Sequence, residues 1–222
     1  MKLFKNLSII FTLNLFLLIF SGCNGVNSLK TPQKSKKESK SSSANTLCPD
    51  KYSVKLKTTQ GDIIIDVKKE WAPIGAQRFY ELVNQGFYTD IAFFRVIDGF
   101  IAQFGISGDP QLNAKWRNNH IKDDPVKESN TSGTVTFAMG GPDTRTTQIF
   151  INIKDNKQLD SMGFAPFGTV RDMKNVKNLY SGYGEGAPRG KGPSQMLLQT
   201  KGSAYLKPAF PEMDYIINAT VI

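Results

Sequence analysis

The sequence predicts a mainly β fold: a closed, eight-stranded antiparallel barrel capped by two α-helices. Three observations carry this expectation. Apolar residues alternate or cluster in eight short runs between Tyr52 and Ile222. Turn-forming residues, above all Gly, Pro and Asp, punctuate those runs. Only two stretches, 72–85 and 171–180, place apolar residues at helical spacing over more than a turn or so. Eight strands close into a barrel whose interior is just filled by side chains, and closure pairs the last strand with an early one so that no sheet edge is left bare.

The elements follow in order. Tyr52–Lys57 alternates as YSVKLK and Gly61–Val67 reads GDIIIDV, with Thr59-Gln60-Gly61 as the turn of a hairpin. Ala72–Gln85 has Pro73 in its first turn, Ala76, Phe79, Leu82 and Val83 on one face, and Gly86 as its stop, an amphipathic helix that covers or plugs the sheet. Phe93–Gly105, FFRVIDGFIAQFG, reads as two strands broken at the turn dipeptide Asp98-Gly99. Ile106–Ser132 is mostly polar, holds Pro110 and Pro125, and is expected to be a long, partly ordered loop. GTVTFAM (133–139) and QIFINI (148–153) are strands separated by a break at Gly140-Gly141-Pro142-Asp143. Phe167–Val170 is another strand, after the Gly163–Pro166 turn. Arg171–Tyr180 places Met173, Val176 and Leu179 on one face of a second helix. Ser181–Pro211 is rich in Gly and Pro, with a helical turn at Ser194–Thr200, and Met213–Ile222 closes the sheet.

Three segments divide the chain. Lys2 and Lys5 precede Leu7–Phe20, which is apolar apart from Ser8, Thr12 and Asn14, and Ser21-Gly22-Cys23 follows. A basic start, a short apolar run and small residues make 1–22 a secretory signal, the run being short for a stable membrane span. Cys23 directly after Ser21-Gly22 resembles a bacterial lipobox, with Phe20 where Leu is usual. That resemblance implies cleavage before Cys23 and lipid on its thiol and new amino group, hence a membrane-anchored lipoprotein of the bacterial envelope, inner or outer membrane undecided; ordinary secretion is the alternative. Residues 23–48 form a Lys/Ser-rich tether expected to be disordered, and 49–222 the folded domain.

The net charge of +9 is concentrated ahead of that domain. The tether sets five lysines against Glu38, and the domain has 21 basic and 18 acidic residues. Charge so placed, without a recognition motif, gives no reason to expect nucleic-acid binding. The two cysteines, Cys23 and Cys48, provide no disulfide framework once Cys23 is lipidated, and His120 as the sole histidine excludes a site built on two or three histidines. His120 lies in a polar loop, KWRNNHIKDD, with no nucleophile elbow nearby, so a surface position is expected and no metal or cofactor is implied.

Arg95 and Gln103 interrupt an apolar, aromatic run and flank its turn. Buried charge needs a partner or a task. Arg95 is therefore an edge-strand charge, half of an ion pair, or, with Gln103 and an aromatic floor at Phe100, the polar side of a small cleft.

FFRVIDGFIAQFG, FAMGGPDTRTTQIFINI and FAPFGTV, in this order and spacing, resemble the cyclophilin family of peptidyl-prolyl isomerases over roughly Tyr52–Ile222. The tail, LYSGYGEGAPRGKGP then AYLKPAFPEMDYI, is similar to that of a subgroup with an extended C-terminal region. The resemblance implies the eight-stranded barrel with two helices and assigns the family's catalytic arginine to Arg95, its pocket floor to Phe100 and the following glutamine to Gln103. It places Ile101 where the family has methionine, a volume-conserving change. It implies substrate contacts by Ala138 and Met139 (an Ala-Asn pair in the family), Gln148, Phe150, Leu159 and Phe164, the last replacing a histidine. Gln158 stands where cyclosporin-binding members have tryptophan.

The implied reaction is rotation about an X-Pro bond. Amide resonance holds the bond planar with a barrier of about 18–20 kcal/mol, so unaided exchange takes tens to hundreds of seconds. No bond breaks, so neither nucleophile, metal nor general base is called for. A catalyst need only hold the proline ring and favour the twisted amide over both planar forms. Phe100, Ile101, Phe150, Leu159 and Phe164 would grip the ring, Arg95 would favour the nitrogen as it regains its lone pair, Gln103 would orient Arg95 or the substrate carbonyl, and Gln148 with the Ala138 and Met139 backbone would hold the peptide extended. The expected function is an X-Pro isomerase acting on proline-containing polypeptides and helping envelope or secreted proteins fold. A surface-anchored binding module with little turnover is the alternative.

Overall fold

The computed structural model describes residues 46–222. The signal segment, Cys23 and all but the last residues of the tether lie outside the described residues. Cys48, read above as the end of the tether, is buried in the main core, its N–H donating to Gln77 Oε1 at 2.8 Å.

Nine strands form one sheet: β1 Lys51–Thr58, β2 Gly61–Lys68, β3 Ile91–Ala92, β4 Arg95–Ile97, β5 Ile101–Phe104, β6 Thr134–Phe137, β7 Ile149–Asn152, β8 Pro166–Val170 and β9 Tyr215–Val221. The helices are α1 Pro73–Asn84, α2 Pro110–Trp116, α3 Lys174–Lys177, α4 Gln195–Lys201 and α5 Ser203–Ala209, with a 3₁₀ helix at Lys157–Met162. The strand order is β3-β9-β1-β2-β8-β6-β7-β5-β4, every neighbouring pair antiparallel. The mainly β fold and the pairing of the closing strand with β1 are as expected. Two features differ. The sheet has nine strands, not eight, because Ile91–Ala92 is a separate two-residue edge strand too short to leave a pattern. And its ends, β3 and β4, are not hydrogen-bonded to each other; they are joined through the chain by Phe93-Phe94, so the sheet curls without full closure.

The period-two alternation sorts the side chains. Tyr52, Val54 and Leu56 on β1, Ile63, Ile65 and Val67 on β2, Ala102 and Phe104 on β5, Val135 and Phe137 on β6, and Ile149 and Ile151 on β7 point into one main core. Helix α1 lays Ala76, Phe79, Leu82 and Val83 on it, with the Phe79 ring 5.2 Å from Phe167 and 5.6 Å from Tyr88. Helix α1 has no side-chain cap of its own; Asp124, from the long polar segment, accepts from the N–H groups of Ile74 (2.9 Å) and Gly75 (2.8 Å) and pairs with Arg145 at 3.0 Å. A carboxylate at a helix start is favourable on both hydrogen-bonding and dipole grounds. That contact, and α2 with its buried Trp116 beside Phe87, orders the segment read from sequence as a partly ordered loop.

Among the described residues there are five α-helices where two helices and one helical turn were expected. The expected helix at 171–180 shrinks to α3, four residues long. The C-terminal segment folds into α4, capped by Ser194 Oγ, and α5. They lean on a second cluster of Ala92, Phe94, Ile106, Leu198, Leu206 and Met213, which fastens the tail to the sheet edge that carries Phe94.

Candidate active site

The face of β4, β5, β7 and β6 that turns away from the main core carries the site. Register lines up Arg95 with Gln103, Gln103 with Phe150, and Phe150 with Thr136 in one row across four strands. Alternation then puts Ile101 beside Gln103 on that face and leaves Ala102 and Phe104 inside.

The apolar half is a third cluster. Ile101, Phe150 and Leu159 are buried, and Phe100, Ala138 and Phe164 pack on them half-buried. The Phe150 and Phe164 rings meet edge-on at 5.6 Å. Main-chain atoms fix this half through a buried amide network. Asn130 Nδ2 donates to the Phe164 carbonyl and to Asp160 Oδ1, both at 2.8 Å, and its Oδ1 accepts from Thr136 Oγ1 at 2.9 Å. Asn156 Nδ2 donates to the Phe100 carbonyl (2.9 Å) and to Asn152 Oδ1 (2.8 Å). Asn130, Asn152 and Asn156 are fully buried. Burial raises the Asp160 carboxyl, but bonds from Ser129 Oγ and from both the N–H and the side-chain amide of Asn130 outweigh it and leave it below the usual carboxylate range. Gln158 is exposed on the 3₁₀ helix whose Leu159 faces the pocket.

The polar half is a relay of side chains. Arg95 Nη1 donates to Gln103 Oε1 at 3.1 Å, and Gln103 Nε2 donates to Gln148 Oε1 at 2.9 Å. The Arg95 guanidinium sits 5.7 Å from the Phe100 ring centroid, close enough for a cation–π contact. Its Nε and Nη2 donate to the two carboxylate oxygens of Glu185, each at 2.7 Å, the fork-to-fork geometry of a strong charge-assisted pair. The guanidinium holds the Glu185 carboxyl below its ordinary range against the opposing effect of burial, with the Gly186 N–H and the charge of Arg189 helping.

Gln103, Ala138, Met139, Gly140, Thr144, Thr146, Gln148 and Gln195 line a hollow of about 230 Å³. It adjoins a second of about 240 Å³ that reaches Trp116, Arg117 and His120. The Ala138 N–H is taken by the Gln148 carbonyl at 2.9 Å, so that N–H is not free for a bound peptide. The main-chain groups of Met139 have no hydrogen-bond partner among the described residues. His120 is exposed, its Nε2 3.1 Å from the Arg117 carbonyl.

The residues expected from sequence fall into two adjoining groups that meet at Ala138 and in the Gln103–Phe150 register: Phe100, Ile101, Ala138, Phe150, Leu159 and Phe164 in the apolar cluster, and Arg95, Gln103, Met139 and Gln148 along the polar relay and the hollow beside it. Glu185 and Gln195 were missed. Glu185 is the single acid of a Gly-rich run, GYGEGAPRGKG, and nothing in its neighbours points to Arg95, 90 positions away.

Cation, amides and an apolar cluster lie side by side, an arrangement suited to holding and polarising a ligand. Residues 53–189 match the family described as cyclophilin type peptidyl-prolyl cis-trans isomerase/CLD. Peptidyl-prolyl cis-trans isomerase A of Dickeya dadantii is 36% identical over 124 residues, 53% of this chain and 64% of that protein. Peptidyl-prolyl cis-trans isomerase B of Escherichia coli is 32% identical over 142 residues, 60% of this chain and 86% of that protein. A cyclophilin-type isomerase of Cryptosporidium parvum, also solved in the presence of the dipeptide Ala-Pro, superposes with a TM-score of 0.58 at 20% identity, over 78% of this chain and 98% of its own. The chain belongs to the cyclophilin-type peptidyl-prolyl cis-trans isomerase family.

Proposed function

We propose that this chain is a peptidyl-prolyl cis–trans isomerase that acts on exposed X-Pro bonds, anchored by lipid at Cys23 to a bacterial envelope, where it assists the folding of secreted or envelope proteins. One observation carries the catalytic part: Arg95 is held by Gln103 and lies over Phe100, beside an apolar cluster of Ile101, Phe150 and Leu159 on which Phe100 and Phe164 pack half-buried. A proline ring fits the apolar half. The adjoining amide nitrogen, pyramidal and basic once the bond twists, then meets a cation already held in place, and preorganised charge is where electrostatic catalysis has its effect. The planar forms offer that cation no lone pair, so it favours the twisted state. The Met139 main chain, free of internal partners, suits the extended flank of the peptide. The anchor and the envelope role rest on the sequence of 1–48, and the assignment to an extended-tail subgroup on that of 180–215.

NMR exchange spectroscopy on a short Ala-Pro peptide tests the reading. The full chain should make cis–trans exchange fast on a timescale of seconds, and Arg95→Ala should lose most of that acceleration. A second reading, a proline-peptide binding module with little turnover, draws on the Glu185 carboxylate already seated on Arg95. Peptide binding without exchange would establish it instead. For the anchor, mass spectrometry of the mature protein should find diacyl- or triacyl-modified Cys23 at its N-terminus; an unmodified cysteine there, or a start elsewhere, refutes it.

A further inference from the structure

Glu185 makes a bidentate ion pair at 2.7 Å with the group on which the reaction depends. It sits on an ordered turn rather than a loose tip. The Gly192 N–H donates to the Glu185 carbonyl at 2.9 Å, Gly190 N–H to the Gly186 carbonyl at 3.1 Å, and Ala187 N–H to the Gly192 carbonyl at 3.0 Å. A Cβ at Gly190 or Gly192 would collide with the Glu185 carbonyl, so the winding of this turn requires glycine at both. Next to it, the Tyr183 ring stands edge-on to Tyr180 and to Phe210, 5.0 Å from each, which ties the turn to the α5 end of the second apolar cluster. The carboxylate itself is pinned, Oε1 also accepting from the Gly186 N–H at 2.9 Å.

A guanidinium presents five N–H groups in a fixed plane. Glu185 takes the Nε–Nη2 edge and Gln103 takes one N–H of Nη1. One N–H on each terminal nitrogen is left over. Without the carboxylate, Arg95 would have only one hydrogen bond, to Gln103, and the face of Phe100 to hold a long side chain that loses much rotamer freedom when it is ordered. The pair weakens the net field of the cation, but it removes the reorganisation needed when the amide twists, and preorganisation is where electrostatic catalysis has its effect.

We propose that Glu185 is a positioning residue for isomerisation: it clamps one edge of the Arg95 guanidinium so that the remaining N–H groups face the twisting amide. The C-terminal turn therefore completes a site whose other parts lie on the sheet. This rests on the isomerase reading above.

The test is a double-mutant cycle on the full chain, with kcat and KM for an Ala-Pro peptide measured for the parent, Glu185→Ala, Arg95→Ala and the double variant. Glu185→Ala should lower kcat by about tenfold to a hundredfold, the range that a small misplacement of a catalytic group produces, with KM within about twofold. Glu185→Asp, which keeps the charge, should recover part of the loss. In the Arg95→Ala background the second change should have no further effect, since groups acting through one another are not additive. Two results would overturn the proposal. A kcat for Glu185→Ala equal to or above the parent would make the carboxylate a bystander or a competitor for Arg95. An equal loss in both backgrounds would make its role purely structural. A parent chain without exchange removes the isomerase reading and this one with it, whereas an active parent with an unaffected Glu185→Ala removes this one alone.

Discussion

The two halves of the cleft are held by different means. The apolar half is fixed through the backbone: buried asparagines hold the carbonyls of Phe100 and Phe164, and Phe150 and Ile101 stand on strands whose opposite faces form the main core. The polar half is fixed chiefly through side chains, from Glu185 to Arg95 to Gln103 to Gln148, with the Gly186 N–H as a backbone anchor. Disturbing the first half should therefore cost folding stability and substrate affinity together. Disturbing the second should cost turnover and leave the fold nearly intact.

The largest expected effect is on the apolar side. Phe150 is 3% exposed and touches both Ile101 and Phe164 through its cluster. Phe150→Ala should lower unfolding free energy by about 3–5 kcal/mol, the usual cost of emptying an aromatic site in a core. Urea denaturation measures the loss, and KM for a proline peptide should rise with it. A loss below about 1 kcal/mol would mean the pocket collapses freely and is not backbone-fixed. On the polar side, Arg95→Ala should lower kcat by about 10²–10³, or roughly 3–4 kcal/mol on the barrier, the scale of removing one preorganised charge donor. Its unfolding midpoint should move little, because partly exposed ion pairs contribute only about 0–1 kcal/mol. A large drop in stability with unchanged kcat would reverse the contrast between the halves.

The same division decides what could be read from the sequence. The β pattern made Arg95 and Gln103 visible, because a polar residue within an apolar run stands out locally, whereas Ile101 and Phe150 were assigned by the family resemblance. The hairpin 52–67 and helix α1 were legible from their periodicity. The buried asparagines were not. Asn130 lies in a polar segment, where a buried network and a solvated loop have the same composition, and only the fold brings it against Asp160, Thr136 and the Phe164 carbonyl. Glu185 was hidden by its separation from Arg95 and by a glycine-rich setting that reads as linker. Helices α2 and α5 and the ninth strand were missed because those elements are about two turns or two residues long, and no period can establish itself over that length.

Asn130→Ala tests the backbone-held half without touching a pocket side chain. It removes two donors and one acceptor that serve Asp160, Phe164 and Thr136 in a fully buried place. Leaving such groups unpaired should cost about 2–3 kcal/mol. If the amide network positions the proline pocket, KM should rise by several-fold while kcat at saturation stays within about twofold. A fall in kcat with constant KM would show that Asn130 acts on the polar relay, and the two halves would not be mechanically separate.

The smallest effect is a pH dependence of that same network. Asp160 accepts from Ser129 Oγ at 2.5 Å and from the N–H and side-chain amide of Asn130 at 2.8 Å each. Burial works to raise its carboxyl, but these bonds to the ionised form prevail and hold it below the ordinary range. A carboxyl depressed in the folded state binds its proton later on acidification than the same group in the unfolded chain, where the value is about 3.9. Its contribution to stability is therefore whole above that value and is lost as pH falls through the lower, folded one. Asp66, Asp143 and Glu185 are depressed as well, by Arg171, Lys122 and Arg95 respectively, so the parent's acid limb is a sum over several groups. Subtraction isolates one of them. Thermal midpoints of the parent and Asp160→Asn, taken from pH 6 to pH 2, should differ most at the neutral end and converge as the parent's carboxylate is protonated. Curves that stay parallel to pH 2 would mean that Asp160 acts by shape alone and that the apolar half has no charged support.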